Sequence, residues 1–105
     1  MLYLKDNPTL GDIQRYVSDM EIERGFSDET VLQNCLMLGE EVGELFKSIR
    51  KQEQMKTDAA SKIGSVEEEL ADILIFLSAI ANRYGIDLEK ALREKEEVNK
   101  TRVWK

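Results

Sequence analysis

The chain contains no histidine and a single cysteine, Cys35. Zinc centres are built largely from His and Cys, so zinc is disfavoured. Di-iron carboxylate bundles are disfavoured as well, because they use Glu-x-x-His pairs. One cysteine permits no intramolecular disulfide. In its apolar helical surroundings Cys35 reads as a buried structural thiol. The one proline, Pro8, precedes any helical pattern and interrupts none. No run of about 18 apolar residues exists, so no membrane-spanning helix is expected. The opening MLYLKDNPTLGD breaks its short apolar stretch at Lys5. No signal peptide is therefore expected, and the reducing cytoplasm is the expected compartment. Positive charge is also in deficit. Fifteen Lys and Arg stand against 21 Asp and Glu, giving a net charge of −6 and a pI near 4.7. Broad nucleic-acid binding needs clustered cations, so no nucleic-acid partner is expected. A small phosphate ligand stays open, because a bound metal reverses the local field.

What is present is helix. The chain has 105 residues, 42% hydrophobic and 34% charged, which suits one globular domain over 1–105. Thr9 begins TLGD, an N-cap pattern, and Leu10, Ile13, Tyr16, Val17 and Met20 recur at helical spacing until Gly25. Ser27 or Asp28 is expected to cap a second helix with the stripe Val31, Leu32, Cys35, Leu38, Val42, Leu45 and Ile49. Gly39 and Gly43 on that helix allow a close approach by another helix or a ligand. Residues 52–64 read as a polar connection. Ser65 opens a capping box with Glu68, and the third helix runs to about Tyr84, with Gly85 just beyond it. Asp87 caps a fourth, LEKALREKEEVNKTR. The fold class is all-α, a four-helix bundle-like arrangement. The third helix is apolar on nearly every side, including Ile73, Leu74, Ile75, Phe76, Leu77 and Ile80. A helix of that kind is buried all round, which a 105-residue monomer can hardly achieve. A homo-oligomer is expected.

Two acidic clusters border the apolar runs. Glu40, Glu41 and Glu44 fall within an arc of about 100° on the second helix. Glu69 and Asp72, spaced i, i+3, are neighbours on the third. Carboxylates at a core edge repel one another and are costly to desolvate. A divalent cation between the helices relieves both problems, and all-oxygen ligation suits Mg²⁺ or Mn²⁺. The alternative is a solvated charged face.

The motifs EEVGE and EELADILIFL, with the flanking segments TLGDIQ, ERGF and KEEVNKTRVW, resemble the MazG-like, all-α nucleoside triphosphate pyrophosphohydrolases. The resemblance implies hydrolysis of (deoxy)nucleoside triphosphates to the monophosphate and pyrophosphate with Mg²⁺, in a house-cleaning role. It implies Glu41, Glu44, Glu69 and Asp72 as metal ligands, with Glu40 and Glu41 as catalytic residues. Lys95, Asn99 and Arg102 match tail positions that face substrate. Phe76 stands where some relatives carry a tyrosine, and Arg83 can meet a ligand or an acidic neighbour. Phe26, Phe46 and Trp104 are further candidates for stacking on a base. The resemblance implies an interlocked homo-oligomer, a tetramer built as a dimer of dimers or else a dimer. Competing readings are a dUTP or phosphoribosyl-ATP pyrophosphohydrolase, and a non-catalytic helical oligomerisation or nucleotide-sensing module.

Overall fold

The computed structural model describes residues 1–104, which form four helices and no strand. Helix α1 spans Leu10–Arg24. The Thr9 hydroxyl accepts from the Asp12 N–H at 3.0 Å, and the Asp12 carboxylate accepts from the Thr9 N–H at 2.9 Å. This reciprocal box satisfies two donors at the helix entrance. Gly25, at φ 78°, ends the helix in the left-handed conformation open to glycine.

Helix α2 spans Val31–Gln52, and its cap is Thr30, not Ser27 or Asp28. The Glu29 N–H donates to the Phe26 carbonyl at 3.1 Å, closing a turn over 26–29. Thr30 and Gln33 then form the reciprocal box. Ser27 and Asp28 have Thr30 and Val31 three positions on, and neither supplies the returning Glu or Gln.

Helix α3 spans Val66–Arg83, with Ser65 accepting from the Glu68 N–H at 3.1 Å. The expected return bond is replaced, because the Ser65 hydroxyl donates to the Glu68 carboxylate at 3.2 Å. Helix α4 spans Leu88–Asn99 behind the Asp87 cap. It stops short of the expected end, so Arg102 lies in the turn beyond it.

Helices α2 and α3 pack along each other, α1 packs on α3, and α4 rests on α1. The buried apolar core is small: Val17 and Met20 from α1, Ala79 and Ala81 from α3. Polar clasps supplement it. Gln14 donates to Asn82 and to the Ile86 carbonyl, and accepts from the Leu88 N–H, which ties α1 to the α3–α4 turn.

Two expectations about burial need correction. Cys35 is exposed. The innermost residues of α2 are Asn34 and Ser48, with Glu41 half-buried between them, so a polar line spaced by seven residues faces inward. That register turns Leu32, Cys35, Leu36 and Phe46 outward. Helix α3, as expected for a single chain of this size, is not covered all round: the i, i+4, i+7 line Leu70, Leu74, Leu77 stays exposed. Among the described residues, no helix is long and apolar enough to cross a membrane.

Candidate metal centre and adjoining cavity

Glu41 projects from α2, and Glu69 and Asp72 from the first turns of α3. One carboxylate oxygen from each lies within 4.8 Å of the others. Glu69 is buried, while Glu41 and Asp72 are half-buried. The Glu69 carboxylate lies against Gly64, where an added Cβ would stand 2.5 Å from Glu69 Oε1. The Ser48 hydroxyl donates to the Gly64 carbonyl at 2.8 Å, pinning that end of the connection against α2.

Packing these charges together has an electrostatic consequence. The Glu41 carboxyl is pushed up from 4.5 to about 7. The largest cause is a hydrogen bond shared with Glu69, followed by burial and by the charges of Asp72, Glu69 and Glu44. Two bare carboxylates at that separation repel, which favours the protonated form of Glu41 beside Glu69.

A hard dication fits this donor set. Oxygens around one Mg²⁺, at about 2.1 Å in an octahedron, lie about 3 to 4.2 Å apart. Three carboxylate oxygens within 4.8 Å need little contraction to reach that spacing. The raised Glu41 carboxyl marks the charge that a cation would offset in place of the shared proton.

Three of the four expected ligands thus converge. Glu44 stands one turn beyond Glu41, 3.9 Å from the Lys47 ammonium and outside the converged group. Its charge still bears on Glu41. Glu40 is exposed on α2.

Asp72 also lines a cavity of about 270 Å³. Phe76 follows it one turn later on α3, while Phe26, Asn34 and Met37 close the other side. Phe46 and Trp104 do not line this cavity and are exposed. Lys95, Asn99 and Arg102 also do not line it. Lys95 and Arg102 are exposed and Asn99 is half-buried.

Arg83 meets an acidic neighbour. Its guanidinium grips the Glu21 carboxylate at 2.5 and 3.0 Å and donates to the carbonyls of Phe26, Glu29 and Ala79. Those five bonds use the whole donor fork to fasten α3 to α1 and to the turn before α2. Hydrogen bonding to Glu21 holds the guanidinium above its usual pKa.

Asn34, Glu21 and Met37 line the cavity without having been singled out in the sequence. A signal for Asn34 existed: it is a polar residue inside an apolar helical run, seven positions before Glu41.

Known proteins share this chain's sequence pattern and fold. Residues 26–102 match the model of the MazG nucleotide pyrophosphohydrolase domain. The chain is 35% identical over 104 residues to dCTP pyrophosphatase 1 of Rattus norvegicus, covering 90% of this chain and 59% of that protein. It is 33% identical over 96 residues to a dATP/dGTP diphosphohydrolase of Salmonella phage PMBT28, covering 91% of this chain and 28% of that protein. The chain therefore spans only part of the length of these relatives. The crystal structure of iMazG from Vibrio DAT 722 superposes with a TM-score of 0.65 at 35% identity, covering 90% of this chain and all of that one. The acidic residues gathered between α2 and α3, the all-helical frame and these matches carry one conclusion: the chain belongs to the MazG nucleotide pyrophosphohydrolase domain family.

Proposed function

We propose that this chain is a Mg²⁺-dependent pyrophosphohydrolase of (deoxy)nucleoside triphosphates, with Mn²⁺ able to substitute. The observation that carries the reading is the convergence of Glu41, Glu69 and Asp72, the last of which also lines a cavity bordered by Phe26 and Phe76. A base held in the cavity would turn its phosphates toward Asp72, where a cation would meet them. Relatives named as a dCTP pyrophosphatase and a dATP/dGTP diphosphohydrolase support the same class of substrate.

In this reading Glu41, Glu69 and Asp72 would hold the cation, with Glu44, one turn along α2, as the fourth ligand. The cation's contribution when bound is to neutralise phosphate charge. Deprotonation of Glu41 prepares the site, because its proton and a cation compete for the same oxygens. Glu40, exposed on α2, orients a water toward phosphorus together with Glu41. The water oxygen forms the new P–O bond, the anhydride P–O bond breaks, pyrophosphate leaves, and the water's proton passes to the carboxylate and then to solvent. Phe26 and Phe76 bracket the base. Lys95, Asn99 and Arg102 contact phosphate or sugar once α4 is placed by assembly.

The homo-oligomer belongs to the same proposal. The exposed line Leu70, Leu74, Leu77 on α3 supports it, as do Gly39 and Gly43 on α2, where an added Cβ would meet nothing within 4 Å. A dimer of dimers is the preferred assembly.

The test is pyrophosphate release from a panel of ribo-, deoxyribo- and modified nucleoside triphosphates, with Mg²⁺, Mn²⁺ or chelator. dUTP and phosphoribosyl-ATP belong in the panel because related enzymes act on them. Release that needs the metal is expected, and Glu41→Gln should lower it at least about a hundredfold while leaving the fold intact. Absence of release from every substrate by a folded protein would leave a nucleotide-sensing or oligomerisation module.

A further inference from the structure

Arg83 sits behind the cavity beside Asp72, not in it. Its acceptor partners are Glu21, Phe26, Glu29 and Ala79, and all four line that cavity. Arg83 itself does not line it, and borders a separate pocket with Ser18, Ser27 and Asn82. One side chain therefore holds the cavity wall from its far side.

The bonds divide between two tasks. Nη1 and Nη2 both donate to the Glu21 carboxylate, and Nη1 also donates to the Ala79 carbonyl at 3.0 Å, one turn earlier on α3. These bonds seat the guanidinium. It is a rigid planar fork, so seating it fixes where the remaining donors point. They point to the turn between α1 and α2. Nε donates to the Glu29 carbonyl at 2.8 Å, and Nη2 to the Phe26 carbonyl at 3.2 Å. An ion pair that only joined α3 to α1 would end at Glu21. Here two of the five bonds go on to the backbone that carries the Phe26 ring. That ring is 45% exposed, so its own packing holds it only in part and its backbone anchor matters.

We propose that Arg83 is a positioning residue of the substrate cavity: through Glu21 and the carbonyls of Phe26 and Glu29, it holds the Phe26 side of the cavity at the spacing from Phe76 that a base requires. The inference rests on the proposed nucleotide-binding function, and adds to it a residue that touches no substrate.

Arg83→Lys keeps a positive charge beside Glu21 but lacks the fork that reaches the carbonyls. In the folded variant, checked by circular dichroism, KM for dCTP, dATP or dGTP should rise about tenfold, the worth of one good aromatic contact. Turnover should stay within about twofold, because the lost contact serves binding rather than chemistry. Inorganic tripolyphosphate has no base, so its inhibition constant should not change. In a Phe26→Ala background, Arg83→Lys should no longer move KM, because its effect passes through that ring. An unchanged KM overturns the proposal, as does an equal loss of tripolyphosphate affinity. A KM rise that persists without the Phe26 ring overturns it too, since Arg83 would then meet substrate directly. If Arg83→Lys does not fold, NMR of the wild type decides. The Arg83 Nε–H should stay protected from solvent exchange when nucleotide binds, and loss of that protection overturns the proposal. Calorimetric titration of dCTP with Ca²⁺ in place of Mg²⁺ separates this inference from hydrolysis. Binding that weakens in Arg83→Lys, without pyrophosphate release by the wild type, would sink the catalytic reading and uphold the positioning role. Pyrophosphate release with KM unmoved in the variant would sink the positioning role alone, and absence of nucleotide binding by the wild type would sink both.

Discussion

Among single residues, Glu41 carries the clearest physical consequence. Its carboxyl is raised from 4.5 to about 7, first by the hydrogen bond with Glu69 and then by burial and neighbouring charge. A raised carboxyl pKa means the folded state holds a proton that the unfolded state has already released. The associated stability is full below about pH 4.5 and is lost as pH rises through about 7. Metal-free protein should therefore melt at a lower temperature at pH 8 than at pH 6. Mg²⁺ needs the deprotonated site, so the upward shift in Tm that it produces should be larger at pH 8. Differential scanning calorimetry with chelator and with Mg²⁺ checks both signs. A Tm increment from Mg²⁺ that shrinks between pH 6 and pH 8 would remove Glu41 from the metal centre.

Elements are held together here by a small apolar core and by a few buried polar fasteners. Arg83 joins α3 to α1 and to the turn before α2, and its guanidinium and the Glu21 carboxylate are both largely buried, at 15% and 8% exposed. The Arg83→Ala change would strand a buried carboxylate and three carbonyls. Removing one partner of such a pair costs about 3 kcal/mol or more. Urea unfolding of Arg83→Ala should show a loss of that size. A variant of unchanged stability but raised KM would return Arg83 to the substrate-contacting role that the sequence also allowed.

At the scale of the whole molecule, the protomer is open. Its radius of gyration is 16.4 Å, and its extents are 48 × 42 × 31 Å. A compact chain of this length has a radius near about 13 Å. The difference reflects α4 lying against α1 alone in any substantial way and the outer apolar line of α3 lacking cover. A second copy would bury that line. Sedimentation should give a mass well above the protomer's 12.1 kDa. Leu77→Glu should shift the protein to monomer and lower its Tm, because a charge would enter the apolar contact. A Leu77→Glu protein with wild-type mass would put the interface elsewhere.

What the sequence determined by itself is local. Thr9, Ser65 and Asp87 cap helices, and Gly25 and Gly85 end them, through bonds and dihedral preferences spanning a few residues. The acidic pairs were visible for the same reason, since i, i+3 spacing places neighbours on one helix. The second cap moved from Ser27 or Asp28 to Thr30 because several residues there can cap, and the competing turn over 26–29 settles the choice. Only the tertiary structure decided how α2 is rotated. Its apolar stripe is broad enough to admit more than one inward face, and packing against α3 selects Asn34, Glu41 and Ser48. That rotation exposes Cys35, draws Glu41 onto Glu69 and Asp72, and leaves Glu44 beside Lys47. It also brings Asn34 to the cavity, a position that depends on what lies opposite it and not on its neighbours in the chain.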